Sequence, residues 1–344
     1  MKLIRLLLFP VSIIYGIVMA VRNFLFDVGA FKSTTFKKPI IAVGNLSVGG
    51  TGKTPQIEYL IKLLKDDYNV GVLSRGYGRK TKGFLVADSQ SLAEEIGDEP
   101  LQFFHKFDKI TVAVDEERVR GIQQLETIKE VPEVILLDDA FQHRKVTAGF
   151  YVVLTKFDEL FSNDFILPTG NLRERRKGVE RADVVVVTKC PSNLSDIDQK
   201  ETKQLVERYF KGPIFFSTIN YSTTLKSNKE FHISTSDLNT YDVLLITGIA
   251  NPKPLLEHLS SLNCKFKHVS FSDHHHFTSE EILDLKQQFE SMKSKNKIML
   301  TTEKDFVRLS NSIEELHYLE IETKFTNQRN EFDRLIANYV KSTL

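Results

Sequence analysis

From residue 39 onward, short unbroken apolar runs recur along the chain. Each is followed by a segment whose apolar positions lie three or four apart. Unbroken runs bounded by turn residues read as buried strands, and the wider spacing reads as amphipathic helix. Strands are expected at 39–43, 70–74, 84–87, 110–114, 134–137, 151–154 and 184–188, with helices at 57–65, 101–107 and 115–124. Near Gly212-Pro213 the pattern loosens into an apolar piece at 214–218 and a polar, extended stretch reaching Asn239. Alternation then resumes, with strands at 243–247, 266–271, 298–301 and 318–321 and helices at 255–262, 279–291, 304–309 and 331–340. Alternating strands and helices imply parallel sheets joined by right-handed crossovers. Two α/β layers facing each other across a cleft are expected.

The head of the chain breaks this pattern. Between Arg5 and Arg22 lie 16 uncharged residues, LLLFPVSIIYGIVMAV. A spanning helix needs about 20 apolar residues. Wound at about 100° per residue, the segment places Lys2, Arg5, Ser12, Tyr15, Arg22 and Asn23 on one side. That narrow polar stripe suits an amphipathic helix lying in a membrane surface, or one packed on the protein with its cationic edge outward. A spanning segment, or a signal cleaved after Val18-Met19-Ala20, is the third reading. The expected division is 1–30 as a membrane-interface helix, 31–215 as the first α/β domain, 216–240 as an extended linker and 241–344 as a smaller α/β domain.

Composition narrows the class. A chain of 344 residues with 41% apolar content allows about two domains with real cores. A net charge of +1 offers no global field for nucleic acid, so none is expected as a partner, and no obligate protein partner is evident. Cys190 and Cys264 stand far apart, outside metal-ligand spacing, as expected of packed thiols in a reducing compartment.

The chemistry centres on Ile40–Gln56, IIAVGNLSVGGTGKTPQ. A strand, a glycine-rich turn and a helix opening with Lys-Thr form the context of a phosphate-binding loop. Backbone N–H groups of Ser47, Val48, Gly49, Gly50, Thr51 and Gly52 would turn inward around an anion, aided by the helix N-terminus. Lys53 would reach the terminal phosphates, and the Thr54 hydroxyl would ligate Mg2+. The usual pattern has glycine where this chain has Ser47; Gly49 and Gly50 compensate. The first domain is therefore expected to be P-loop NTPase-like, with ATP as cofactor, and a cleaved signal would carry such a site away from ATP.

Other polar residues fall at expected strand ends, where ligands sit in doubly wound sheets. Arg75 and Arg79 frame two glycines after 70–74, where a solvated hairpin would use the same residues. Asp98 stands at a helix start, where capping alone would explain it. Arg118 and Arg120 lie on the charged helix at 115–124. Asp138-Asp139 closes an apolar strand and forms the usual acidic partner of a phosphate loop, holding Mg2+. Gln142 and His143 follow at the same edge, and Asn171 and Arg173 sit in a Pro/Gly-marked loop. Thr188-Lys189 after VVVV resembles a base-contacting position. In Asp273-His274-His275-His276, a histidine as general base fits better than a metal ligand, since three adjacent histidines cannot converge on one ion, and an exposed turn is the alternative.

Together these blocks resemble the tetraacyldisaccharide 4'-kinase family, the lipid A 4'-kinases of Gram-negative bacteria. The matching pieces are GNLSVGGTGKTP at 44–55, SRGYGR at 74–79, GDEP at 97–100, LDDAFQH at 137–143, LPTGNLRE at 167–174, FSDHHHF at 271–277 and TEKD at 302–305. Ala140 stands where glycine is common in that block. The resemblance implies ATP·Mg2+-dependent phosphorylation of the 4'-hydroxyl of a tetraacyl glucosamine disaccharide 1-phosphate, a lipid A precursor. It implies a peripheral enzyme on the cytoplasmic face of the inner membrane, an Asp98–His274 pair at the hydroxyl, and Mg2+ near Thr54, Asp138 and Asp139. Arg120, Asn171 and Arg173 match positions associated with the active site. Without the resemblance, a soluble small-molecule kinase and a regulatory NTPase switch remain alternatives.

Overall fold

The computed structural model describes residues 5–228 and 233–344. Lys2 of the expected polar stripe, and four residues of the expected linker, lie outside them. The chain folds as two sheets. The nine-stranded sheet runs β15-β8-β7-β6-β1-β5-β2-β4-β3. Its inner strands are β1 (Ile40–Asn45), β2 (Val70–Ser74), β4 (Ile110–Val114), β5 (Val134–Asp138), β6 (Phe150–Lys156), β7 (Val184–Thr188) and β8 (Ile214–Tyr221). These seven are mutually parallel, and helices α2 (Lys53–Leu64), α4 (Asp98–Lys106) and α5 (Arg118–Leu125) connect them. Parallel strands are covered on both faces, which is why these sequences are apolar throughout rather than alternating. Short β3 (Leu85–Val86) closes one edge antiparallel to β4, and the one-turn helix α3 (Ala93–Ile96) follows it in the chain.

The six-stranded sheet runs β10-β9-β14-β13-β11-β12, comprising β9 (Thr224–Ser227), β10 (Ile233–Ser234), β11 (Asp242–Thr247), β12 (Lys265–Ser270), β13 (Lys297–Thr302) and β14 (Leu316–Leu319). Helix α6 (Asp196–Glu207) belongs to the first unit; α7 (Lys253–Ser261), α8 (Ser279–Ser291) and α9 (Glu303–Leu309) cover the second.

The boundary differs from the expected one in two ways. First, the stretch expected as a linker is mostly structured: β8 is the first sheet's strand and β9 already belongs to the second. Second, the chain does not end in the smaller unit. β15 (Ile321–Phe325) returns to pair antiparallel with β8, and α10 (Arg329–Thr343) packs Phe332, Ile336 and Val340 into the first core beside Ile57, Leu60 and Phe215. The Tyr339 hydroxyl fixes this return by accepting from Ile40 N (3.0 Å) and donating to Ile40 O (3.1 Å). The chain thus crosses twice between the sheets, and the two crossings are joined by a bond from Ser222 N to Glu320 O (3.0 Å).

Helix α1 (Phe9–Asp27) is inverted relative to a soluble amphipathic helix. Its buried residues are Ser12 and Gly16, while Phe9, Val11, Ile13, Ile14, Ile17, Val18, Val21 and Phe24 face outward. Of the two expected placements of the polar stripe, the one with its cationic edge outward is not found: the stripe holds the protein and the apolar side faces outward. Arg5 donates to Pro168 O (2.9 Å) and Asn171 Oδ1 (3.1 Å), Ser12 Oγ to Thr169 Oγ1 (2.7 Å), Tyr15 to Arg173 O (3.1 Å), and Asn23 to Glu174 Oε2 (2.8 Å). A cationic edge outward is therefore not what the chain builds. Among the described residues, this is the one helix long and apolar enough to cross a membrane by length and composition.

Candidate active site

The C-terminal ends of β1, β5, β2 and β7 converge on the glycine-rich loop. Gly52 ends that loop at φ +90°, a conformation an L-residue adopts only with strain. The loop is braced from three sides. Asn45 donates to Ser47 O (2.7 Å) and Thr51 Oγ1 (2.9 Å), and Thr188 donates to Thr51 O (2.7 Å). The 167–174 loop supplies the third brace: Val48 N donates to Asn171 O (2.8 Å), and Arg173 N to Leu46 O (2.7 Å).

Lys53 lies 3.6 Å from Asp139 Oδ1, and Arg173 Nη1 donates to the same carboxylate at 3.1 and 3.2 Å. Burial works against the charge of Asp139, but Lys53 and Arg173 outweigh it and hold its pKa below the ordinary value. Asp138 is different. It is buried and accepts from Ser74 Oγ (3.1 Å), and burial, with Glu99 and Asp139 nearby, pushes its pKa up to about 6. A buried carboxylate short of positive charge at this place fits a divalent cation. Thr54, at the start of α2, supplies a hydroxyl of the required kind. No group of three or more His, Cys, Asp or Glu gathers for a metal among the described residues. A Mg2+ bound by one carboxylate, a threonine hydroxyl, phosphate oxygens and water does not require one.

The second cluster joins the two units. Gly97, at φ +92°, lets the start of α4 approach the 74–79 turn; a Cβ there would sit 3.1 Å from Gly76 Cα. Asp98 follows, and His274 Nδ1 lies 3.0 Å from its Oδ2, across 176 positions of sequence. His274 occupies left-handed backbone (φ 56°), and its N–H donates to Gly248 O (3.2 Å). The neighbouring histidines go elsewhere: His275 bonds Glu281 and stacks on Phe271 at 4.7 Å, and His276 is exposed.

Two residues not singled out from sequence complete this cluster, both on α9. Arg308 grips Asp98 with two nitrogens, its Nε donating to Oδ1 at 2.7 Å. Lys304 Nζ stands 2.9 Å from His274 Nε2. Burial opposes the charge on Asp98, but hydrogen bonds from Arg308 and His274 overcome it and hold the carboxyl well below its usual range. The i, i+4 spacing of Lys304 and Arg308 was a legible sign that both lie on one helix face.

The remaining expected residues are distributed less tightly. Arg75 is exposed at the end of β2. Arg120 is committed to Asp115 (2.7 and 2.9 Å) and Glu116 (3.2 Å). The arginine beside the acidic pair is Arg118, which donates to Asp138 O at 3.1 Å and is pushed down to about 10 by burial despite Asp138 and Asp139. Gln142 links Asn45 O (2.9 Å) to Glu174 (3.0 Å). His143, half-buried, is pushed down to about 4 by burial and by Arg118 and Lys145.

Comparison with known proteins gives the family. The family described as Tetraacyldisaccharide-1-P 4'-kinase matches residues 4–341. A Tetraacyldisaccharide 4'-kinase of Flavobacterium psychrophilum is 50% identical, covering 100% of this chain and 99% of the relative. One from Bacteroides thetaiotaomicron is 45% identical over 97% of this chain and 93% of its own. The crystal structure of "apo" LpxK from Aquifex aeolicus in complex with ATP superposes with a TM-score of 0.78 at 32% identity, covering 98% of this chain and 99% of that one. The chain belongs to the tetraacyldisaccharide 4'-kinase family and is an ATP-dependent kinase of lipid A biosynthesis.

Proposed function

We propose that this kinase transfers the γ-phosphoryl group of ATP to the 4'-hydroxyl of a tetraacyl glucosamine disaccharide 1-phosphate, with Asp98 and His274 as the pair that handles the hydroxyl proton. The contact between them supports this most directly: residues from two different sheets meet at 3.0 Å, beside Glu99, which is itself close enough to Asp138 to raise its pKa. With Nδ1–H donated to Asp98, His274 presents an unprotonated Nε2, the atom a general base uses. Arg308 keeps Asp98 ionised, so the imidazolium formed on taking the proton is stabilised. The incoming hydroxyl would replace the Lys304 ammonium as the partner of Nε2.

The loop N–H groups of 47–52 and Lys53 would hold the β- and γ-phosphates, Lys53 exchanging Asp139 for phosphate oxygens. Arg173, bonded to Asp139, would meet the transferring group's equatorial oxygens or the substrate's 1-phosphate. Thr54 and Asp138 would hold Mg2+, which neutralises charge on the transferring phosphates. Asp139, still held by Arg173 when Lys53 turns to the phosphates, is the less suited of the acidic pair. The outward apolar face of α1 supports seating on the cytoplasmic face of the inner membrane, where the acyl chains of the substrate remain in the bilayer.

The test is transfer of γ-labelled phosphate from ATP·Mg2+ to the tetraacyl disaccharide 1-phosphate in mixed micelles, wild type beside Asp98→Ala and His274→Ala. Labelled lipid from wild type, reduced about 10²–10⁴-fold in both variants, is expected of a lost base. Labelled lipid from fully active variants would remove the pair from the mechanism. Free phosphate without labelled lipid would remove the lipid substrate.

A further inference from the structure

Between the outward flank of α1 and the loop after β6 runs an open groove of about 460 Å³, within the size range of small-molecule sites, roughly 300–1,000 Å³. Phe9, Ile13 and Ile17, four residues apart, form one wall, and Phe165 and Ile166 the other. Gly16 keeps the floor open; a Cβ there would stand 3.2 Å from Ile166 Cδ1. The rim is basic. Arg176 is held in place by Asp164 O (2.7 and 3.0 Å) and lies over the rings of Phe165 and Tyr209. Arg175 and Lys177 flank it, exposed, and neither pairs with a carboxylate among the described residues.

An apolar slot with a cationic mouth, opening beside an outward apolar helix, has the chemistry of a phospholipid: acyl chain within, phosphate at the rim. We propose that the groove binds one acyl chain of an anionic glycerophospholipid of the membrane, its headgroup phosphate held by Arg175 and Lys177. The proposal rests on the membrane seating of α1 and assigns the slot to a bilayer lipid rather than to the substrate. Seating would then depend on headgroup charge at this one place, whereas the rest of the α1 face would be indifferent to it.

The chain contains no tryptophan, so one introduced indole reports its own surroundings. Phe165→Trp places it in the groove and Phe24→Trp places it on the outward face of α1. Each full-length variant is mixed with phosphatidylcholine vesicles carrying a small, equal fraction of either phosphatidylglycerol or phosphatidylcholine brominated in the acyl chains. Brominated phosphatidylglycerol should quench the groove indole at about tenfold lower concentration, and the preference should vanish when Arg175→Glu and Lys177→Glu are added. The Phe24→Trp variant should be quenched alike by both lipids. Quenching of the groove indole without headgroup preference, or a preference surviving charge reversal, would overturn the slot. Displacement of brominated phosphatidylglycerol by the tetraacyl disaccharide 1-phosphate would reassign it to the substrate. Absence of quenching at both positions would remove the membrane seating, and the slot with it.

Discussion

Replacing Lys106 by methionine should disable the kinase without touching any group that meets substrate. Lys106 ends α4, the helix that Asp98 begins, and its ammonium lies 2.8 Å from Glu58 on α2, 2.8 Å from Glu303 on α9 and 3.6 Å from Glu320 at the chain crossing. Its side chain is 8% exposed, Glu58 3% and Glu303 8%. One cation therefore ties the helix after the phosphate loop to the helix carrying Lys304 and Arg308. Removing one partner of such a buried set leaves the others unpaired, at about 3–5 kcal/mol. Burial and Glu58 raise Glu303 to about 8, from an ordinary value of 4.5. Because its folded pKa is raised, its contribution is fully present below the unfolded value and is lost as pH rises through about 8. Without the ammonium, both carboxylates move up further and hold their protons to higher pH, so the defect grows as pH rises past about 8. It should therefore be large at pH 9.5 and smaller at pH 6.5. Amide exchange in α4 and α9 should quicken about a hundred- to several-thousandfold at the higher pH, at roughly 1.4 kcal/mol per tenfold, and lipid phosphorylation should fall with it. Wild-type exchange at pH 9.5, or a loss equal at both pH values, would refute the reasoning.

Two further outcomes are expected. Asp138→Asn should raise the Mg2+ concentration needed for half-maximal activity. In the nucleotide-free protein the same change should stabilise at pH 8 by about 3 kcal/mol, because the native carboxylate, raised to about 6, penalises folding above that pH; the gain should close as pH falls toward 4. The Mg2+ dependence of lipid phosphorylation measures the first and thermal unfolding of the nucleotide-free protein the second; a destabilised apo variant at pH 8 would contradict the electrostatics. Ile14→Asp, at a position 65% exposed on the outward face of α1, should lower partition onto anionic vesicles roughly ten- to a hundredfold, read by co-sedimentation, with ATP affinity unchanged; unchanged sedimentation would count against membrane seating.

Much of this was legible because the local chemistry was strong. The apolar runs that became β1, β2, β4, β5 and β7 were found nearly to the residue, since buried parallel strands carry no alternation to confuse the reading. The phosphate loop and the acidic pair stand out by residue type at strand ends, whereas His274 is picked out among three adjacent histidines only by the family resemblance. What escaped was partnership. The strand expected at 318–321 is β14 in the second sheet, but nothing in the sequence says that a further strand, β15, follows at once and pairs antiparallel with β8, because pairing partners are fixed by tertiary burial. The stripe on α1 is legible, and of its two readings the cationic edge outward fails: periodicity shows that a helix has two faces and does not say which one meets the protein. Arg118 and Arg120 stand two apart on one helix and so face nearly opposite ways, and only packing decided that Arg118 turns toward Asp138.

The 167–174 loop is a clasp with two sides. One edge holds the polar face of α1 through Arg5, Ser12 and Tyr15, and the other pairs with the phosphate loop at Ser47 and Val48. An enzyme shortened at its N-terminus therefore loses more than its grip on the bilayer. It also frees the strap that sets the shape of its nucleotide cradle, and its weakened turnover would combine a docking fault with a binding fault. Point changes on the outward face separate the two, because they leave the clasp fastened.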